Sequence, residues 1–184
     1  MMDQVKFFET IMKLKSVRRS GWVERGVKEP ETSADHSLLV SLLVLILGKS
    51  RKLDLNKAVK MALLHDLPES IVGDIISKDK WEAEGKMWKK DKIILERKAM
   101  QELASLSGRR EILELWDEFN DMQSPEAIFV EQADRLATIL QAIEYYKEGN
   151  YRKPLPGFWD EKGTSPIKDP ELKKLLDSAL RKLR

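Results

Sequence analysis

"ALLHDLPESIVGD", residues 62–74, runs an apolar stretch straight into His65 and Asp66, then Pro68 and Glu69, then Gly73 and Asp74. Apolar spacing from residue 55 onward is helical. Pro68 lacks an amide N–H and disfavours α geometry at Leu67, so a helix over 55–67 ends or bends there. A short turn of helix over 68–73 follows, with Glu69 as a first-turn acid and Gly73 before the turn residue Asp74. The result is two helical pieces around a kink loaded with ionisable groups.

Working outward, the preceding helix, 34–50, contains "LLVSLLVLIL" (38–47) and is apolar nearly all round, which predicts a central position. Ser33 is its expected N-cap. Before it lies "SVRRSGWVERGVKEPETS" (16–33), a loop broken by Gly21, Gly26 and Pro30. A first amphipathic helix spans 3–15, with Val5, Phe8, Ile11 and Met12 on its apolar face. After the kink comes a polar stretch, "ISKDKWEAEGKMWKKDK" (76–92), mobile at its start. Helices follow at about 86–106, 109–121 and 125–148, the last opened by Ser124 and Pro125. The segment 146–169 reads as loop, and a final helix covers about 170–182. No alternating strand pattern is evident, so the fold class is all-α.

The chain has 184 residues, 42% hydrophobic and 35% charged, which places residues 1–184 in one globular domain. A formal net charge of +2 gives no bulk argument for a nucleic acid polymer or an anionic membrane. The 38–47 run is too short to span a bilayer. There are no cysteines, which excludes disulfides and thiolate metal sites and fits a cytoplasmic protein.

Both histidines of the chain sit beside an aspartate, as Asp35-His36 and His65-Asp66. Each lies on an apolar helix, where an imidazole costs desolvation unless something binds it. A hydrogen-bonded core histidine is the simpler reading of either one alone. Together, imidazole and carboxylate suit one divalent Co, Mn, Ni, Fe or Zn ion, with coordination positions left open for catalysis. His36, His65 and Asp66 are the ligands this reading selects. Asp134, within "EQADRLATILQAIEYY", reads equally as a solvated aspartate on a helix rim.

The set "H…HD…D" resembles the signature of the HD-domain metal-dependent phosphohydrolases. The wider pattern, "RSGWVERGV", "SADHS", "ALLHDLPESIVGDI" and "SPEAIFVEQADRLATILQAIEYY", is similar to the 5'-deoxynucleotidase branch of that family. The likeness runs over about residues 10–150, leaving 151–184 as a C-terminal loop and helix. It implies a helical HD-domain bundle with His36, His65, Asp66 and Asp134 as metal ligands. It implies Glu69 as an acid–base group, Asp74 assisting at the substrate, and Arg19 on the phosphate. Guanidinium is planar and permanently charged, which suits phosphate. The adjacent Arg18 leaves that assignment open by one position. Trp22 is either a stacking surface for sugar or base, or an anchor of its loop on the core. The implied activity is removal of the 5'-phosphate from deoxynucleoside monophosphates by a homodimer. The alternatives are an HD phosphohydrolase of triphosphate, cyclic or hyperphosphorylated nucleotides, and a non-catalytic metal-containing helical nucleotide-binding or interaction protein.

Overall fold

Helix follows apolar spacing along most of the chain in the computed structural model, which describes residues 2–50, 52–78 and 87–183. The elements are α1 (Gln4–Ile11), α2 (Ser20–Glu24), α3 (Ser33–Leu47), α4 (Leu55–Leu64) and α5 (Glu69–Val72), then α6 (Lys89–Ser107) and α7 (Glu111–Asp121). The chain continues through α8 (Pro125–Lys147), α9 (Glu161–Thr164) and α10 (Pro170–Arg181). Two-residue strands β1 (Ser77–Lys78) and β2 (Met87–Trp88) pair in parallel. Two residues are too few for alternation to register in the sequence. The mobile start expected for the stretch after α5 falls largely on residues 79–86, outside the described residues.

The central helix is α8, not α3. Ala127, Phe129, Val130, Ala133, Leu136, Ala137, Ile139, Ala142 and Ile143 are all buried along it, against α3 and α4 on one side and α7 and α10 on others. Each large apolar side chain so buried contributes about 1.5–3 kcal/mol. Helix α3 is one-sided. Val40, Leu43 and Val44 point inward with Ser33, His36, Ser37 and Ser41, while Leu38, Leu42, Leu45 and Ile46 face solvent. Its all-round hydropathy hid the fact that small polar side chains occupy part of the inner face.

The first helix also turns a different stripe inward. Val5, Phe8 and Met12 are exposed; Phe7, Ile11 and Leu14 pack on Leu67, Met100, Leu103 and Trp116. Two apolar stripes overlap on α1, and the one that Leu14 extends in the following 3-10 turn (Met12–Lys15) is buried. The N-cap of α3 is Thr32 rather than Ser33: its Oγ1 accepts from the Asp35 N–H and the Asp35 carboxylate accepts from the Thr32 N–H, a reciprocal capping box. That shift of one residue leaves the Ser33 hydroxyl free for another use.

Segment 146–169 is more ordered than a loop. A 3-10 turn (Pro156–Phe158) and α9 fold back on the core, with Leu155 against Trp22, Ala142 and Tyr145. Gly163 is required there, since a Cβ would collide with the Phe158 carbonyl. Among the described residues no helix is long and apolar enough to cross a membrane.

Candidate metal centre and substrate cavity

Helix α4 stops at Leu64, and the turn before Pro68 throws His65 and Asp66 inward. The Trp116 indole N–H donates to the His65 carbonyl at 3.1 Å, pinning this turn to α7. His36 reaches the same place from the second turn of α3, and Asp134 from the middle of α8. The His36 and His65 ring centroids are 5.6 Å apart. His36 Nε2 lies 2.7 Å from Asp134 Oδ1. Donor atoms of His36, His65 and Asp66 all fall within 4.8 Å of one another, and these residues can hold a metal ion.

The carboxylates of Asp66 and Asp134 favour positive charge at this point, whether a proton on imidazole or a metal that displaces it. His65 Nδ1 donates to the Ala62 carbonyl at 2.7 Å, which leaves Nε2 as the inward-facing nitrogen. Nε2 is buried, without a hydrogen-bond partner, and 3.3 Å from Asp66 Oδ2. Burial works against a charge on His65, but the facing carboxylates of Asp66 and Asp134 outweigh it and lift the imidazole to about 9. Despite burial, His65 and Arg19 hold the Asp66 carboxyl well below the usual range. Burial likewise works against the Asp134 carboxylate, and the hydrogen bond and charge of His36 bring its pKa below the ordinary value. Two imidazoles and two ionised carboxylates, held together with an orphaned nitrogen, form a donor set for a divalent metal.

Glu69 is the first residue of α5 and is 1% exposed. It accepts a short hydrogen bond from the Ser33 hydroxyl, the one released by capping at Thr32. Burial, with the negative charges of Asp66 and Asp74, pushes its carboxyl up to about 9. Its Oε1 has no hydrogen-bond partner and lies 3.8 Å from Arg19 Nη1. Arg19 Nη1 is 2.8 Å from Asp66 Oδ2, so the guanidinium stands against the metal-ligand candidates themselves. Arg18 points elsewhere, donating to the Pro30 carbonyl at 3.0 Å. Asp74 Oδ2 accepts from the Ser20 N–H and the Ser20 hydroxyl donates back to the Asp74 carbonyl, both at 2.6 Å. Asp74 thereby fixes the start of α2 beside Arg19.

Trp22 lies in α2, a helical turn within the stretch expected to be loop, and anchors it on the core. It is 3% exposed, packs edge-on to Tyr145 and tilted on Phe158, and donates its indole N–H to Glu31 at 2.8 Å. It still lines, with Arg19, Asp74, Asp134 and Phe158, a cavity of about 440 Å³. That volume falls in the usual range of small-ligand sites, roughly 300–1,000 Å³. Lys92 and Arg135 add positive charge to its wall. Ser20, Ser33, Trp116 and Glu31 support the site without a motif in the sequence that marks them as doing so. Only Ser33 left a signal, and it was read as a cap.

A sequence profile described as HD domain matches residues 11–162. The chain is 38% identical over 158 residues to 5'-deoxynucleotidase HDDC2 of Dictyostelium discoideum, covering 80% of each protein. It is 32% identical over 180 residues to 5'-deoxynucleotidase YGK1 of Saccharomyces cerevisiae, covering 96% of this chain and 81% of that one. Among solved structures, the PH0347 protein from Pyrococcus horikoshii OT3 superposes with a TM-score of 0.75 at 34% identity, over 97% of this chain and 96% of the other.

Proposed function

The chain belongs to the HD-domain family of metal-dependent phosphohydrolases, and from that membership we propose that it removes the 5'-phosphate of deoxynucleoside monophosphates. The single observation that carries the reading is convergence: His36, His65, Asp66, Asp134, Glu69 and Arg19 form one connected cluster, and its members Arg19 and Asp134 line the cavity. We assign His36, His65, Asp66 and Asp134 as ligands of one divalent first-row metal (Co, Mn, Ni, Fe or Zn), because nitrogen and oxygen donors without thiolate select that group. Residues 1–184 form a single HD domain in this account.

A divalent cation held there supplies Lewis acidity toward a phosphoryl oxygen and makes water more acidic. The chain's own residues do the rest. Glu69, neutral when its carboxyl is held up to about 9, carries a proton on a buried oxygen and hands it to the departing 5'-oxygen. The Ser33 hydroxyl fixes which Glu69 oxygen is engaged. Arg19 offsets the phosphate charge that two ligand aspartates leave unbalanced. Asp74 holds the Arg19–Ser20 backbone in place through its two hydrogen bonds. Trp22 and Phe158 wall the nucleoside end of the cavity.

A homodimer and a cytoplasmic setting complete the proposal. The solvent-facing leucines of α3 support the first, and the absence of cysteine supports the second. Phosphate release from a panel of nucleotides, with and without added metal, tests the activity. Deoxynucleoside monophosphates should release phosphate only with metal. Preferential attack on triphosphates or cyclic nucleotides would assign another substrate, and no release from any nucleotide would make the site a binding site.

A further inference from the structure

Glu31 was invisible in the sequence, sitting in a loop between Pro30 and the Thr32 cap. In the fold its side chain is 6% exposed, and no lysine or arginine lies within ion-pair distance of it among the described residues. A carboxylate so buried needs a reason to be there. Three groups surround it. The Trp22 indole N–H donates to Oε1 at 2.8 Å. The Tyr145 hydroxyl accepts from the Glu31 backbone N–H at 2.7 Å, fixing the backbone. The third group is His36, whose Nδ1 lies 3.7 Å from the same Oε1. That nitrogen is buried and has no hydrogen-bond partner.

The two nitrogens of His36 therefore have different surroundings. Nε2 faces Asp134 and the proposed metal position; Nδ1 faces Glu31. An imidazole that ligates through Nε2 must carry its proton on Nδ1. A carboxylate behind that proton fixes the tautomer and makes the ligating nitrogen more basic. At 3.7 Å the contact is electrostatic rather than a hydrogen bond, and low surrounding polarity strengthens it.

We propose that Glu31 is the positioning carboxylate of the metal ligand His36, and that through Trp22 it ties the substrate-side helix α2 to the metal centre. This rests on the metal assignment above, but not on the identity of the substrate. The same oxygen meets the Trp22 N–H and faces the His36 ring. Displacement of α2 at Trp22 is therefore felt at the ligand.

The test uses Glu31→Gln in the full chain. Gln keeps the volume and an oxygen for Trp22 but loses the charge. Competition titration with Zn²⁺ or Co²⁺ should show about 10–100-fold weaker metal binding, the range for a lost outer-sphere partner of a ligand. With only two histidines in the chain, ¹⁵N-imidazole spectra report His36 directly. At one Zn²⁺ per chain they should show His36 in the Nδ1–H form in wild type and as a mixture of proton forms in Glu31→Gln. Glu31→Asp, which restores the charge, should recover part of the affinity. Unchanged affinity and tautomer in Glu31→Gln would overturn the proposal. So would weaker binding accompanied by an equal loss of metal-free thermal stability, an unchanged tautomer and no rescue by Asp, which would make Glu31 a packing residue only. A wild type that binds metal yet releases no phosphate would contradict the proposed function and leave these readouts intact.

Discussion

Glu69 shows what a single residue in this site costs and provides. Its carboxyl has an ordinary value of 4.5 and is held up to about 9 in the fold. Between those values the folded chain binds a proton that the unfolded chain has released, so stability falls as pH rises. Glu69→Gln is neutral throughout and removes that dependence. The metal-free variant should melt above wild type at pH 8, by roughly 2–4 °C for each kcal/mol relieved, and match it near pH 4. Equal melting at both pH values would show that Glu69 is ionised in the fold. The same substitution should lower turnover by about 10²–10⁴-fold, the usual range for a lost acid–base group, when phosphate release is followed with saturating metal. At this scale the sequence was informative wherever a residue type is chemically restrictive. Two histidines in the chain, each beside an aspartate, pointed to the centre before any fold was known. Glu31 was opaque and Ser33 legible only as a cap, because a glutamate in a loop or a serine at a helix start has many ordinary uses and only three-dimensional neighbours distinguish them.

Among elements, the break between α4 and α5 was legible because proline is restrictive: without an N–H it opens a helix but does not continue one past its first turn. Faces were harder. On α1 with its 3-10 extension and on α3 more apolar residues are present than the core can take, and packing rather than pattern selected Phe7, Ile11 and Leu14 on one, Val40, Leu43 and Val44 on the other. The ordered path of residues 150–169 was hidden for the opposite reason. Its apolar anchors, Leu155, Phe158 and Ile167, are single residues spaced without a period among glycines and prolines. The start of α3 carries the function, since Thr32, Ser33 and His36 share its first two turns. Thr32→Ala removes one half of the capping box and should cost about 0.5–2 kcal/mol in a thermal melt of the metal-free protein. An unchanged melting temperature would return the cap to Ser33.

For the whole molecule, helical periodicity fixes the class and the central position of α8 follows from its sheltered small residues, but assembly is written on the surface. Leu38, Leu42, Leu45 and Ile46 form an exposed apolar stripe on α3, whose opposite face carries His36. In the proposed homodimer this stripe is covered. Leu42→Lys with Ile46→Lys should halve the mass seen by light scattering; a monomeric wild type would contradict the dimer. The proposed activity depends above all on the four groups that α3, the α4–α5 turn and α8 bring together. Anomalous diffraction at the absorption edge of the added metal tests them most directly. A peak lying within bonding distance of His36 Nε2, His65 Nε2, Asp66 and Asp134 is the expected result. A metal-soaked crystal with no peak among those atoms, or with the ion held elsewhere and the two imidazoles left without it, would contradict the account.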